Sequence, residues 1–218
     1  MIICINKPAG ITSHDVVNKV RRVTGEKTVG HGGSLDPFAT GVLVIGIGRE
    51  GTKQLGSFLT HSEKEYIATL ELGKTSDTGD SEGIVQESMG RSPFSVLQEE
   101  IKNVLATSFT GDILQIPPAL SAIKIGGVSS YKLARQGKPV NLPPRRVNIR
   151  EIEILDWTSP LLNLRVVCSS GTYIRSLAKD IGTALKTGAY LEALIRTRVG
   201  SFTLKDCVPI SSLKSAQS

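Results

Sequence analysis

The chain has 218 residues, 39% hydrophobic and 21% charged, with 26 Lys and Arg against 20 Asp and Glu for a formal net charge of +6. That length can bury a sizeable core as one large domain or two small ones, and the composition excludes disordered and fibrous classes. The basic balance tilts the expected partners towards polyanions, and no apolar run approaches the length of a bilayer span.

The three cysteines, Cys4, Cys168 and Cys207, lie far apart and show no paired spacing, and His14, His31 and His61 make no ligand pattern with them. A structural zinc site is therefore not expected. The odd cysteine count and the lack of a secretion-signal pattern fit a reduced, cytoplasmic setting.

In chain order, residues 2–5 (Ile-Ile-Cys-Ile) read as a short buried strand, followed by the Asn6-Lys-Pro-Ala-Gly10 turn. Ser13 is placed to cap a helix reaching about Val23, with Val16, Val17, Val20 and Val23 on one face and Lys19, Arg21 and Arg22 mostly on the other. That basic side is either a solvated surface or one that meets phosphates. Residues 29–41, Val-Gly-His-Gly-Gly-Ser-Leu-Asp-Pro-Phe-Ala-Thr-Gly, form the most constrained stretch. Gly30, Gly32 and Gly33 permit close backbone approach. Pro37 pushes Asp36 towards an extended conformation, so the backbone itself aims the carboxylate, as a nucleophile or base requires. The loop is neither a P-loop nor a nucleophile elbow, because the Gly-Lys-Ser/Thr and Gly-x-Ser-x-Gly patterns are missing. Read without context, such an aspartate is more often a turn cap. The run Val42-Leu-Val-Ile45 after it suits a buried strand.

Residues 65–72 alternate as a strand with Tyr66 at its start, and residues 74–83 form a polar loop with Asp77, Asp80 and Glu82, not an EF-hand. Val96, Leu97, Ile101, Val104 and Leu105 have helical spacing over residues 95–105. Lys124, Lys132, Arg135, Lys138, Arg145, Arg146 and Arg150 then follow without an acidic residue among them, interleaved with glycines and prolines. Such a segment reads as a loop-rich basic arm able to fold around a phosphate backbone, or as an unattached surface loop. Strand patterns return at residues 151–155 and 161–168, joined by a Ser159-Pro160 turn. Thr172 is the expected N-cap of a helix whose stripe is Ile174, Leu177, Ala178, Ile181 and Leu185. Arg175 falls in the first turn of that helix, against the dipole, and a carboxylate partner such as Asp36 would account for it. Residues 189–195 read as a further short helix, residues 196–202 as a return strand, and the polar tail from Ser211 as frayed.

Taken jointly, six ordered pieces resemble the bacterial tRNA pseudouridine-55 synthases, the TruB family, along nearly the whole chain. They are Lys7-Pro-Ala-Gly-Ile-Thr-Ser13; Gly30-His-Gly-Gly-Ser-Leu-Asp-Pro37 with Ala39-Thr-Gly41; Lys64-Glu-Tyr66; Pro117-Pro-Ala-Leu-Ser-Ala-Ile-Lys124 with Tyr131 and Ala134-Arg-Gln-Gly137; Gly171-Thr-Tyr-Ile-Arg175; and Leu194-Ile-Arg-Thr-Arg-Val-Gly200.

The resemblance implies a single α+β catalytic domain, with a mixed, mostly antiparallel central sheet flanked by helices around a central cleft. It implies an isomerase that converts uridine 55 of the tRNA T-loop to pseudouridine with no cofactor and no metal, acting as a monomer without an obligate protein partner. Asp36 would be the key carboxylate, acting at C1′, at C6 or along a glycal route. Tyr66 would lie beside the target base, and Arg175 would pair with Asp36 and hold it ionised. Tyr173 and Leu194 resemble residues that contact the flipped uracil, and His31 one that stacks where the base leaves. Lys7, Lys124 and Arg196 are expected among the substrate-binding residues, and residues 121–150 as the thumb that closes on RNA. Leu120 stands where many relatives carry an aromatic residue. No C-terminal RNA-binding domain of the PUA type is recognised, so contacts to distant parts of tRNA are expected to be reduced. Two rival readings are an RNA-binding or tRNA-folding module with secondary or no catalysis, and a guide-RNA-dependent synthase needing partner proteins.

Overall fold

The computed structural model describes residues 1–60 and 62–213; His61 and the tail beyond residue 213, read above as frayed, lie outside the described residues. The elements are β1 (Ile2–Lys7), α1 (Ser13–Thr24), β2 (Val29–Gly32), β3 (Thr40–Ile47), α2 (Gly48–Thr60), β4 (Lys64–Leu72), β5 (Lys74–Ser76) and β6 (Val85–Glu87). Then come α3 (Gln98–Ser108), β7 (Gly111–Gln115), β8 (Lys124–Ile125), β9 (Val128–Ser129), α4 (Ser130–Arg135), β10 (Arg145–Thr158) and β11 (Leu161–Cys168). The chain continues with α5 (Ile174–Ala184), β12 (Ala189–Val199), β13 (Phe202–Thr203) and β14 (Val208–Pro209). Ten strands form a mixed sheet whose order is β14-β1-β3-β12-β4-β11-β10-β7, with β2 on β3 and β13 on β12. The fold is thus the expected α+β class. The chain divides into two compact units, one of Met1–Ile67, Val167–Ser170 and Leu194–Ser218, the other of Ala68–Val166 and Gly171–Ala193.

In the first unit, β1 runs antiparallel to β3 from Ile2↔Gly46 to Lys7↔Gly41, and β2 pairs antiparallel with β3 from Val29↔Ile47 to Gly32↔Val44. The glycine-rich stretch therefore begins as a strand, not as a flexible loop, because Val29 and His31 alternate with small residues that fit against β3. Ile5, Val29, Leu43, Ile45 and Ile47 make one core with Val16, Val17 and Val20 of α1. Thr12, not Ser13, caps α1, in a capping box with Asp15; Gly25, at φ +72°, ends the helix. Ser13 is occupied elsewhere: its Oγ accepts from Leu35 N at 2.9 Å and donates to Leu35 O at 3.1 Å. Helix α2 has no counterpart in the sequence reading.

The second unit buries Leu70, Leu72, Ile101, Leu105, Ile149, Leu162, Leu164, Leu177 and Ile181. Strand β10 pairs antiparallel with β7 from Arg145↔Gln115 to Ile149↔Gly111, so the last part of the basic arm is strand. Helix α3 starts at Gln98, three residues later than the 95–105 spacing suggested, because Pro93–Ser95 form a 3-10 turn. The Thr172 cap is also corrected: Tyr173 holds the N-cap position of α5 and makes no side-chain cap hydrogen bond.

Residues 189–195, expected to be helical, belong to strand β12. Ala, Leu and Glu favour a helix locally, but a place in the sheet between β3 and β4 overrides that preference, with Ile195↔Thr40 and Arg196↔Gly41 paired parallel to β3. The cysteine reading is corrected as well. Cys4 in β1 and Cys207 form a disulfide with their Cα atoms 4.4 Å apart, although 203 residues separate them in sequence. Cys168 is buried and takes no part in the disulfide.

The β3–β12 crossing tolerates no side chain at Gly41. Its φ is +107°, and an added Cβ would run into the main chain of Arg196. Gly41→Ala is expected to destabilise the protein by at least about 2 kcal/mol in chemical denaturation, with activity lost at temperatures the parent survives.

Candidate active site

The loop between β2 and β3 carries Asp36, and main-chain contacts on both sides of that residue fix its place. Upstream, Ser13 Oγ grips both polar groups of Leu35. Downstream, Pro37 O accepts from Gly10 N at 2.9 Å and from Lys7 Nζ at 3.0 Å. Lys7 is fully buried and also donates to Pro8 O and Ile11 O, at 2.8 Å each. The donations to Pro8 O and Ile11 O shape the turn after β1, and the one to Pro37 O ties that turn to the Asp-Pro segment. Ala39 N returns to Asp36 O at 3.1 Å, leaving the carboxylate half-buried at the tip of a braced turn.

Arg196 of β12 reinforces the same loop from beneath. Only 1% exposed, its guanidinium donates from Nε to Val42 O at 2.8 Å, from Nη1 to Ser34 O at 3.3 Å and from Nη2 to Gly33 O at 3.0 Å. A planar fork of five donors suits three carbonyls arranged around it, where lysine would satisfy fewer. The Arg196 charge also bears on the neighbouring Tyr66 phenol. Lys7 and Arg196, expected from the resemblance among substrate-binding residues, are thus placed in the interior, with the cited donations going to main-chain carbonyls.

Tyr66 is 6% exposed, and burial pushes its phenol up to about 12; the Arg196 charge opposes this shift, and nearby Cys168 and Asp36 add to it. The group is a neutral phenol at physiological pH. On the same face of β4, Lys64 is 8% exposed and donates to Ser170 Oγ at 3.0 Å. Burial, with the Arg196 charge adding to it, brings its amine down to about 8. His31 is held below its ordinary range by burial and by the charges of Arg196 and His14, and its Nδ1 is buried without a hydrogen-bond partner among the described residues. Leu194 is buried at 7% exposure.

In the second unit Arg175 is 6% exposed and sits in the first turn of α5. Its Nη1 lies 3.5 Å from Asp80 Oδ2 and donates to Thr78 O at 3.2 Å, while Nη2 donates to Leu120 O at 2.9 Å. Asp80 is itself held, accepting from Thr78 Oγ1 at 2.6 Å and Glu82 N at 3.1 Å. The sequence supplied the signal for this ion pair, an arginine opposing a helix dipole and a nearby Asp-containing loop, but that loop was read only for its metal spacing. Gln115 anchors Tyr173 by a reciprocal pair, accepting from Tyr173 N at 2.8 Å and donating to Tyr173 O at 3.0 Å. Lys124, Lys132, Arg135, Lys138, Arg145, Arg146 and Arg150 are all exposed. The base of the β8–β9 turn is closed by Ser121 and Ser130, whose hydroxyls meet at 2.9 Å, and Arg135 stacks 4.6 Å over the ring of Tyr131.

A braced carboxylate beside a neutral phenol and an exposed basic arm suit an RNA-modifying isomerase, and comparison with known proteins identifies the class. Residues 21–174 match the model of the TruB family pseudouridylate synthase N-terminal domain, and residues 175–218 that of the tRNA pseudouridylate synthase B C-terminal domain. A curated tRNA pseudouridine synthase B from Mycobacterium sp. (strain KMS) is 48% identical over 97% of the chain and 71% of its own length. The protein of that name from Dehalococcoides mccartyi (strain CBDB1) is 46% identical over 99% and 70%. A crystal structure of a Cbf5-Nop10-Gar1 complex matches with a TM-score of 0.73 and 30% identity, covering 96% of this chain and 52% of that one. A structure of an H/ACA RNP bound to a substrate RNA containing 2′-deoxyuridine matches at 0.70 and 27%, over 96% and 51%; the chain therefore spans about half of each of these solved chains. The class is that of the pseudouridine synthases, which are isomerases. The chain belongs to the TruB family, the tRNA pseudouridine synthases.

Replacing Lys7 by Met would leave the Pro8, Ile11 and Pro37 carbonyls without their buried donor. We expect a loss of about 2–4 kcal/mol in urea unfolding, with turnover reduced in the variant that remains folded.

Proposed function

We propose that the chain converts uridine 55 in the tRNA T-loop to pseudouridine, with Asp36 as the reacting carboxylate. The observation that carries the reading is the bracing of Asp36: Ser13, Lys7 and Arg196 fix the main chain around one half-buried acid beside a buried tyrosine. The isomerisation breaks the N1–C1′ bond and forms a C5–C1′ bond; a proton leaves C5 and one is taken up at N1. Such a reaction needs a carboxylate held at the junction of ribose and uracil, and fixed geometry removes the reorganisation that would otherwise slow it.

In this proposal Tyr66 packs its neutral ring against the target base. Arg175, held by Asp80 and the Thr78 and Leu120 carbonyls, is the cation that keeps Asp36 ionised. Tyr173 and Leu194 contact the uracil, and His31, with its imidazole kept neutral by burial, stacks where the base leaves the RNA. The exposed cations of residues 121–150, Lys124 among them, bind the phosphate backbone. Lys7 and Arg196 support the site by shaping the loop. The chain acts in the cytoplasm as a single catalytic domain and a monomer, with tRNA as its partner and with neither cofactor nor further protein.

The test is incubation of purified protein with a T-loop transcript alone, followed by chemical marking of pseudouridine and mass spectrometry. Many modified uridines per chain are expected; an RNA-binding module would give none, and a guide-dependent synthase none without its partners. Asp36→Asn should lower turnover by more than about a thousandfold while leaving RNA affinity within about threefold. Turnover retained in that variant would overturn the role given to Asp36.

A further inference from the structure

Lys64 is a charge without an evident reason. It occupies an inward position of β4, in a strand whose buried face continues through Tyr66, Ala68, Leu70 and Leu72. Its ammonium has three donors, and the acceptor it meets is a neutral hydroxyl, Ser170 Oγ, at 3.0 Å. Around it, Arg196 from β12 repels the ammonium, and Cys168 from β11 favours its protonated form. Tyr66 of its own strand is a neutral phenol, and His31 of β2 is held towards its neutral form. Burying an ammonium among such neighbours destabilises a fold. Apolar packing does not require it either, since a methionine would fill the same space.

Lys64 lies beside the loop that carries Asp36. A Cβ added to Gly33 would lie 3.7 Å from Lys64 Cε, 3.7 Å from Lys64 Nζ and 3.7 Å from Arg196 Nη1. Two cationic side chains thus flank Gly33, three residues before Asp36, and Ser170 anchors Lys64 on its other side. We propose that Lys64 is a positioning residue of the isomerisation, a buried ammonium retained because it braces Gly33 and sets a positive potential beneath the loop that presents Asp36. The inference rests on Asp36 as the reacting carboxylate, and it assigns to the family's reaction a residue that acts through the loop rather than on the base.

The charge has a defined pH window. Lys64 binds its proton less tightly in the folded state, at about 8, than in the unfolded chain, near 10.5. Protonation therefore penalises folding fully below pH 8, and the penalty fades as pH rises from there towards 10.5. Function runs the other way, since the ammonium is lost over the same range.

The experiment compares Lys64→Met and Lys64→Arg with the parent protein on a T-loop transcript, measuring kcat, KM, melting temperature and the pH profile. Lys64→Met is expected to melt no lower than the parent near neutral pH, yet to lose at least about tenfold in kcat with KM within about threefold. Lys64→Arg should recover most of kcat and keep it above pH 8, where the parent declines. The inference is overturned if kcat of Lys64→Met stays within about twofold of the parent, or if KM alone rises. It is also overturned if stability and kcat fall together in both variants, the mark of a purely structural lysine. Asp36→Asn, run alongside, separates the two proposals. An active Asp36→Asn defeats the assignment of the carboxylate, whereas an inactive Asp36→Asn with an unimpaired Lys64→Met defeats only the role of Lys64.

Discussion

The guanidinium of Arg196 is the constraint on which the first unit depends. It belongs to a strand that pairs parallel with β3, so its side chain starts beside Gly41 and reaches under the loop to the Gly33, Ser34 and Val42 carbonyls. A fully buried arginine is tolerable only when its donors are matched, and here main-chain carbonyls match them. The consequence is mutual: the loop shields the charge, and the charge holds the loop. Gly41 must lack a side chain for that strand crossing, and Gly33, at φ +78°, holds a left-handed conformation that side chains disfavour. The glycines and the distant arginine are one device.

The sequence disclosed the parts of this device unevenly. Residues whose role is local were legible: the Asp-Pro turn, the valine face of α1, the alternation of β4 and the stripe of α5. Residues whose role depends on a partner far along the chain were not. Ser13 looked like a helix cap because a serine before an apolar run usually is one, yet its hydroxyl is occupied by Leu35, and Thr12 takes the cap. Lys7 and Arg196 were expected among the substrate-binding residues from the resemblance, and their burial against main-chain carbonyls was not legible in the sequence. Residues 189–195 have the composition of a helix, and a place in the sheet between β3 and β4 makes them a strand. In that strand the sheet outweighs a local preference of a few tenths of a kcal/mol to about 1 kcal/mol per residue.

The second unit follows the same logic with different atoms. Arg175 opposes the dipole of α5, and the ion pair with Asp80, backed by the Thr78 and Leu120 carbonyls, makes that position tenable. Gln115 fixes Tyr173 by both polar groups of its main chain, so the start of α5 is set by a β7 side chain and not by a helix cap. The basic arm, in contrast, holds its cations in solvent on short elements, as a surface that meets a polyanion would.

Under oxidising conditions the Cys4–Cys207 disulfide closes almost the whole polypeptide into a covalent ring. Loop closure on that scale narrows the ensemble available to the unfolded chain. A protease that cut once anywhere between the two cysteines, in the basic arm for example, would leave both fragments in a single molecule, parted only by a reductant.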